Sequence, residues 1–387
     1  MKAALLFVLV ARAAAQYYPP PDAEGGWRSR APKTDQLRKL DEAFEYARQT
    51  TKHGGLLVVH RGWLVYEKYF GRGHREATPN LASCGKAFTS IAAGILIHER
   101  PDLFPDGLDQ KVFTPVYLPA EAFPLTESAK AEIRLGQLLA MSAGLAGNTP
   151  GYVDGMPVKL EKPGPDGYTA MIDEVARTTP LWTKPGGGYC YATVSPHIVS
   201  MMVRHVARME LQQYLGERVA KPLGWGRWGF GYVRPEIAHT PGGGGIAIRP
   251  SDALRFAYLL LREGRWRDRQ IIPREYVRHC GRRSPYNPHF PYSLQFDVNS
   301  GGQAPGAPRA AYWKGGSGGH AIYIVPSMDL VVFKLGGRDE QYDLSKTNVP
   351  PPASTPAYDG SRESWKPGPG TDAGLARTLE LVVAAIR

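Results

Sequence analysis

Along the N-terminal part of the chain, Leu37, Leu40, Phe44 and Ala47 recur at helical spacing and predict an amphipathic helix over 35–49. The segment LLVVH, an Arg61-Gly62 turn and WLVYEKYFG then predict a β-hairpin. Near the other end, HAIYIVP and LVVFKLGG predict two more strands around a turn from Pro326 to Asp329, and 375–386 closes the chain as an amphipathic helix. Between these ends the pattern is mostly helical from about 83 to 280, with the apolar run AFTSIAAGILIHE and the spaced Ile198, Met201 and Met202. Pro- and Gly-rich stretches at 148–167, 233–245 and 350–370 read as surface loops, and 16–32 as an extended lead-in. Strands first and last, with helices between, predict an α/β fold. One antiparallel sheet is built from both chain ends and flanked by the terminal helices, and an inserted helical subdomain forms the second wall of a cleft.

The first fifteen residues change the picture of where this domain works. Lys2, the apolar stretch Ala3 to Val10 and the small residues Ala13-Ala14-Ala15 have the make-up of a cleavable secretory leader, so the expected location is periplasmic or secreted. That stretch is too short to anchor a membrane protein, and no other apolar run long enough to span a bilayer occurs, so no stable membrane insertion is expected. The formal charge of +11 is spread as arginine, with clusters at 262–269 and 278–283 that lack interleaved stacking aromatics. This reads as a solvated basic surface and not as a nucleic-acid groove. Three cysteines, Cys84, Cys190 and Cys280, are too few for a disulfide scaffold. Export permits a Cys84–Cys190 bridge, but small buried thiols are the reading the sequence favours.

The chemistry is concentrated in three segments. Ser83-Cys84-Gly85-Lys86 heads the apolar helix and places a hydroxyl and an amine on one face, one turn apart. An amine held in a partly dry site can be neutral and accept the serine proton, which creates a nucleophile. The second segment, PGGGYCYATVSPHIVSMMV, carries Tyr191 just before a helix-like pattern. A tyrosine there reads first as a core aromatic, although beside Lys86 a phenol could relay protons between nucleophile and leaving group. The third runs from Tyr312 through Lys314, Gly315, Gly316 and Ser317 into a strand. Consecutive glycines at a strand edge let another backbone approach closely, and the amides of Ser317 and Ser83 are candidate donors to a substrate carbonyl.

Taken in order, these segments resemble the serine β-lactamase and penicillin-binding protein superfamily. The resemblance is to its branch of class C β-lactamases, D-aminopeptidases, esterases and nylon-oligomer hydrolases. Its Ser-x-x-Lys, Tyr-x-Asn and Lys/His-Thr/Ser-Gly motifs are matched by Ser83–Lys86, Tyr191-Ala192-Thr193 and Lys314-Gly315-Gly316, and IRLGQLLAMSAGL and GGIAIRPSDALRFAYLLLREG also look alike. With the leader read at 1–15, the rest is expected to form one hydrolase domain at 16–387, its α/β part at about 33–80 and 281–387 and its helical part at about 83–280. The resemblance implies Ser83 as acylated nucleophile, Lys86 as proton acceptor, Tyr191 as shared base and proton donor to the leaving group, Lys314 as a source of positive potential, and the Ser83 and Ser317 amides as oxyanion hole. No metal and no organic cofactor is implied, and the partner is a small-molecule ester, amide or peptide substrate. Two departures bear on specificity. Thr193 stands where the family usually has Asn, and Gly315 where a hydroxyl usually helps hold a substrate carboxylate. Both weaken β-lactam or D-Ala-D-Ala recognition and leave acyl transfer intact.

Other readings fit less well. Gly315 to Gly319 spells Gly-x-Ser-x-Gly, but a strand follows where a nucleophile elbow needs a helix, and no later acid is followed by a histidine. The ten histidines form no zinc pattern, and His320 reads as a surface residue more than as a participant. A non-catalytic peptide-binding or sensor protein on the same fold remains the rival from another class. Tyr152, Tyr168, Trp182 and Trp313 are open to either pocket lining or plain packing.

Overall fold

The computed structural model describes residues 16–231, 234–366 and 374–387; the expected leader at 1–15 lies outside them. A six-stranded antiparallel sheet forms the centre. In chain order its strands are β1 (Gly54–His60), β2 (Trp63–Phe70), β3 (Asp297–Val298), β4 (Tyr312–Gly316), β5 (His320–Val325) and β6 (Leu330–Leu335), arranged as β3-β4-β5-β6-β1-β2. The two chain ends meet where β1 pairs with β6, Val58 opposite Val332.

Period-two alternation sorts the side chains of these strands into two cores. Leu56, Val58, Ala321, Tyr323, Leu330 and Val332 face the terminal helices α1 (Thr34–Thr50) and α5 (Gly374–Ile386), with Leu40, Phe44, Leu379 and Val383 packed on them. Leu57, Val59, Ile322, Ile324, Val331 and Phe333 face the opposite way, into the larger core. Because both faces are covered, the inner strands are nearly continuous in apolar residues. The helix at the start differs from its sequence reading in one residue: Leu37 is exposed, and the buried stripe is Leu40, Ala43, Phe44 and Ala47.

The larger core holds α2 (Gly85–Glu99), α3 (Val194–Ala207) and α4 (Pro250–Leu261). Every residue of α2 from Gly85 to Leu96 is buried, as expected of a helix that is apolar all round. It is therefore a rigid post for whatever its N-terminus presents. Helix α4 lies on the sheet, next to β5 and β6. The lead-in is tied to α4: Arg255, fully buried, bonds Asp22 at 2.6 Å and Asp252 at 2.8 Å. Two stretches read as surface loops are otherwise. Residues 148–167 contain a small hairpin, Gly151–Val153 with Met156–Val158, that pairs onward with Tyr189–Cys190. Residues 241–245 are buried, and their role appears at the site below.

Lys334 on β6 is fully buried with one hydrogen bond, to the Gly319 carbonyl at 2.7 Å, and burial lowers its pKa to about 7. An unfolded lysine binds its proton up to a higher pH, so burial costs nothing above pH 10.5 and costs progressively more as pH falls toward 7. Lys334→Met should therefore raise Tm at neutral pH, and the gain should shrink as pH rises and vanish only above pH 10.5. Thermal melts across that range check the sign.

Candidate active site

Ser83 sits in a 3₁₀ turn (Ala82–Cys84) that runs directly into α2, so Lys86 lies in the first turn of that buried helix. The Lys86 amine donates to Ser83 Oγ at 2.9 Å and, by a shorter contact, to the Gly243 carbonyl. Among the described residues it has no carboxylate partner within salt-bridge distance, and burial lowers its pKa to about 8; the charge of Lys314 acts in the same direction. Thr89, one turn further along α2, donates to the Gly242 carbonyl at 2.8 Å. The glycine run 242–245 is thus a buried backbone strip that seats the amine, and side chains there would collide. A Cβ at Gly243 would meet Thr193 Cγ2 at 2.6 Å, and one at Gly242 the Pro196 carbonyl at 2.2 Å.

Tyr191 stands just before α3, its ring 5.2 Å from the Lys86 amine and 4.9 Å from that of Lys314. Lys314 reaches it from β4 and donates to its hydroxyl at 3.3 Å. Burial by itself would raise the phenol, but the charges of Lys314 and Lys86 and a hydrogen bond with Ser83 outweigh it, and the net shift is downward. Ser83, Lys86, Tyr191 and Lys314 therefore meet at one point, from α2, the entry to α3 and the sheet.

Strand β4 alternates here as elsewhere. Trp313 and Gly315 face the terminal helix: Trp313 belongs to the core under it, and a Cβ at 315 would meet Leu375 Cδ1 at 2.6 Å. Trp313 thus lines no pocket beside Ser83, and a side chain at 315 would point toward the terminal helix, where Leu375 would have to shift. Gly316 faces the nucleophile's turn, where a Cβ would meet the Leu81 carbonyl at 2.2 Å and Cys84 Sγ at 3.1 Å, while Cys84 itself bonds the Lys314 carbonyl at 3.4 Å. Glycine at 316 is what lets β4 and the Ser83 turn touch. Ser317 shares a concavity with Ala82, Asn80, Tyr168 and Gln341. Neither the Ser83 nor the Ser317 amide donates to any described backbone group. Thr193 packs its methyl on Gly243, and its hydroxyl has no bond to a described residue.

Several residues of the site escaped the sequence reading. Tyr292, fully buried, accepts from Lys314 at 2.7 Å and donates to Gln295 at 3.0 Å, which sets the position of the lysine. Tyr189 and Phe290, stacked at 4.4 Å, continue from it as an aromatic wall, which is extended by Tyr152, a residue the sequence left open between pocket lining and packing. Asp297, on β3, has its carboxyl raised by burial against the pull of Lys314. His320, expected at the surface, is wholly buried because β5 is an inner strand covered on both faces, and burial lowers its pKa to about 3. All three cysteines are free and buried: Cys84 bonds the Lys314 carbonyl, Cys190 accepts from the Gly147 amide at 3.3 Å, and burial pushes the Cys84 thiol up to about 12. No group of three or more His, Cys, Asp or Glu side chains fit to hold a metal occurs among the described residues.

This sheet-and-helix architecture is that of the β-lactamases and penicillin-binding proteins. A family model described as Beta-lactamase matches residues 40–347, and the chain belongs to that family of serine β-lactamase-fold hydrolases. Among solved structures, the penicillin-binding protein homolog from Caulobacter crescentus superposes with TM-score 0.59 at 15% identity, covering 79% of this chain and 92% of that one. EstCE1, a hydrolase with promiscuous acyltransferase activity, superposes with TM-score 0.59 at 18% identity over 80% and 97% of the two chains. A D-stereospecific amidohydrolase from Streptomyces sp. does so with TM-score 0.55 at 15% identity over 80% and 96%. These likenesses are of fold. No curated protein sequence matches the chain.

Proposed function

We propose that the protein is an exported, cofactor-free serine hydrolase that cleaves carboxyl esters or small amides, short linear amide oligomers included, through an acyl-enzyme on Ser83. The observation that carries the reading is an amine without a carboxylate partner, 2.9 Å from a serine hydroxyl, with a phenol held between that amine and a second lysine. Neutral Lys86 takes the Ser83 proton as Oγ bonds the substrate carbonyl carbon. The amides of Ser83 and Ser317 hold the oxyanion. As the bond to the leaving group breaks, Tyr191 passes it a proton under the field of Lys314. Water then attacks the ester on Ser83, giving a proton back through the same groups and releasing the acid.

Esters and linear amides are favoured over β-lactams and D-Ala-D-Ala peptides because position 193 carries a hydroxyl in place of an amide. Two structures of like fold, a hydrolase with promiscuous acyltransferase activity and a D-stereospecific amidohydrolase, support an acyl-transfer reading. The leader read at 1–15 supports a periplasmic or secreted site of action.

A fluorophosphonate probe should label the wild type and leave Ser83→Ala blank. Nitrophenyl esters or linear aminohexanoate dimers should turn over faster than nitrocefin or D-Ala-D-Ala peptides. Folded wild type that takes no label would overturn the hydrolase reading in favour of a binding protein. Labelling with nitrocefin as the best substrate would overturn the substrate class alone.

A further inference from the structure

Beyond the residues already placed around Ser83, one side chain joins the two backbone segments that carry the free amides. Gln341 lies in the 3₁₀ turn Asp339–Gln341, after β6. Its Oε1 accepts from the Arg338 amide at 3.1 Å, which fixes which way the carboxamide faces. Its Nε2 then donates to the Asn80 carbonyl at 2.8 Å and to the Ser317 carbonyl at 3.0 Å, and also lies 3.1 Å from His320 Nε2. The main chain repeats the first tie, since the Asn80 amide donates to the Gln341 carbonyl at 2.8 Å. Asn80 in turn accepts from the Ala82 amide through Oδ1 at 2.8 Å and so holds the turn that leads into Ser83. That turn needs holding, because Ala82 has a φ of +48°, an unfavourable value for a residue with a side chain. Across from it, Gly318 has φ +89°, and a Cβ there would meet Gln341 Oε1 at 2.2 Å, so the sequence leaves a gap that the carboxamide occupies.

We infer that Gln341 is a positioning residue that sets the spacing of the Ser83 and Ser317 amides. The inference rests on the hydrolase reading above and deepens it. A primary amide has two hydrogens, and with two carbonyls and His320 Nε2 already packed around it Gln341 has none left for a substrate. Its effect passes through the backbone: holding the Ser317 carbonyl fixes the peptide plane beside the Ser317 amide, and holding Asn80 fixes the approach to the Ser83 amide. Donors preorganised at the developing oxyanion are worth far more than the same donors free to move.

The test measures nitrophenyl-ester kinetics, fluorophosphonate labelling rate, thermal melts and inhibition by an arylboronic acid, whose tetrahedral serine adduct places an oxygen between the two amides. Gln341→Leu removes both side-chain ties and leaves the main-chain bond to Asn80. Gln341→Glu keeps the shape and the bond from Arg338, but its ionised carboxylate donates to neither carbonyl. Both variants should lose about 10- to 100-fold in kcat, keep KM within about twofold, and bind the boronate weaker by a factor that follows the kcat loss. Wild-type kcat and labelling rate in both variants would overturn the role while the hydrolase reading stands. A rise in KM in step with the loss would assign Gln341 to substrate contact instead, and a collapse of Tm in both variants would assign it to folding. Wild type that takes no label at all would defeat the hydrolase reading and this inference with it.

Discussion

Lys86→Met is expected to lower kcat/KM for an activated ester by about 10³-fold while leaving Tm within a few degrees of the wild type. The methionine keeps the length and apolar stem of the lysine in a site where α2 is buried on all sides, so no cavity opens. It removes the group that takes the proton from Ser83, and a serine hydroxyl without an adjacent base is a weak nucleophile. The stability change is small because two effects oppose. The Gly243 carbonyl loses its donor, and burial no longer has to be met by an amine that resists protonation there. Steady-state kinetics with a nitrophenyl acetate, alongside thermal melts, decide the matter. Turnover within tenfold of wild type in a folded variant would remove Lys86 from the role of base and leave Tyr191 to carry it alone.

The sheet was the most legible part of the chain. Its strands are rich in β-branched and aromatic residues, and the tight Arg61-Gly62 and Pro326–Asp329 turns announce their hairpins, the first of which carries one register shift between Val58 and Val59. Strand alternation already implies that Lys314 and Trp313 point to opposite faces. It therefore predicts that Trp313 belongs under the terminal helix and not beside Ser83. The position of His320 was also implicit there, because a strand between two others, apolar throughout, has no exposed face.

Composition was a poorer guide than periodicity in the middle of the chain. A glycine run signals a backbone free of side chains but not where that backbone lies, and 242–245 turned out to be the buried seat of Lys86 instead of a surface loop. Tyr292 and Gln341 were illegible for a related reason. Each acts through a single polar atom delivered from a distant stretch of chain, 22 residues from Lys314 in one case and 261 from Asn80 in the other, with no local pattern to mark it.

Lys314→Met should cost about 10²-fold in kcat/KM at pH 7 and move the rising limb of the pH profile to higher pH by roughly one unit. The sign follows from the groups that face this lysine. Its charge lowers the Lys86 amine and the Tyr191 phenol together, acting against burial on the phenol and alongside burial on the amine. Without it both groups hold their protons more tightly. Acylation needs Lys86 unprotonated, so the wild type gains activity as pH rises through about 8, and the variant gains it only at higher pH. The gap between the two should consequently narrow from pH 7 to pH 9, even though the variant has also lost the hydrogen bond that joins Lys314 to Tyr292. Asp297 complicates the field only slightly: burial already raises its carboxyl, and losing Lys314 raises it further. A variant that loses activity equally at every pH would place Lys314 on the substrate alone, because a residue that tunes Lys86 and Tyr191 must move the limb as well as lower it.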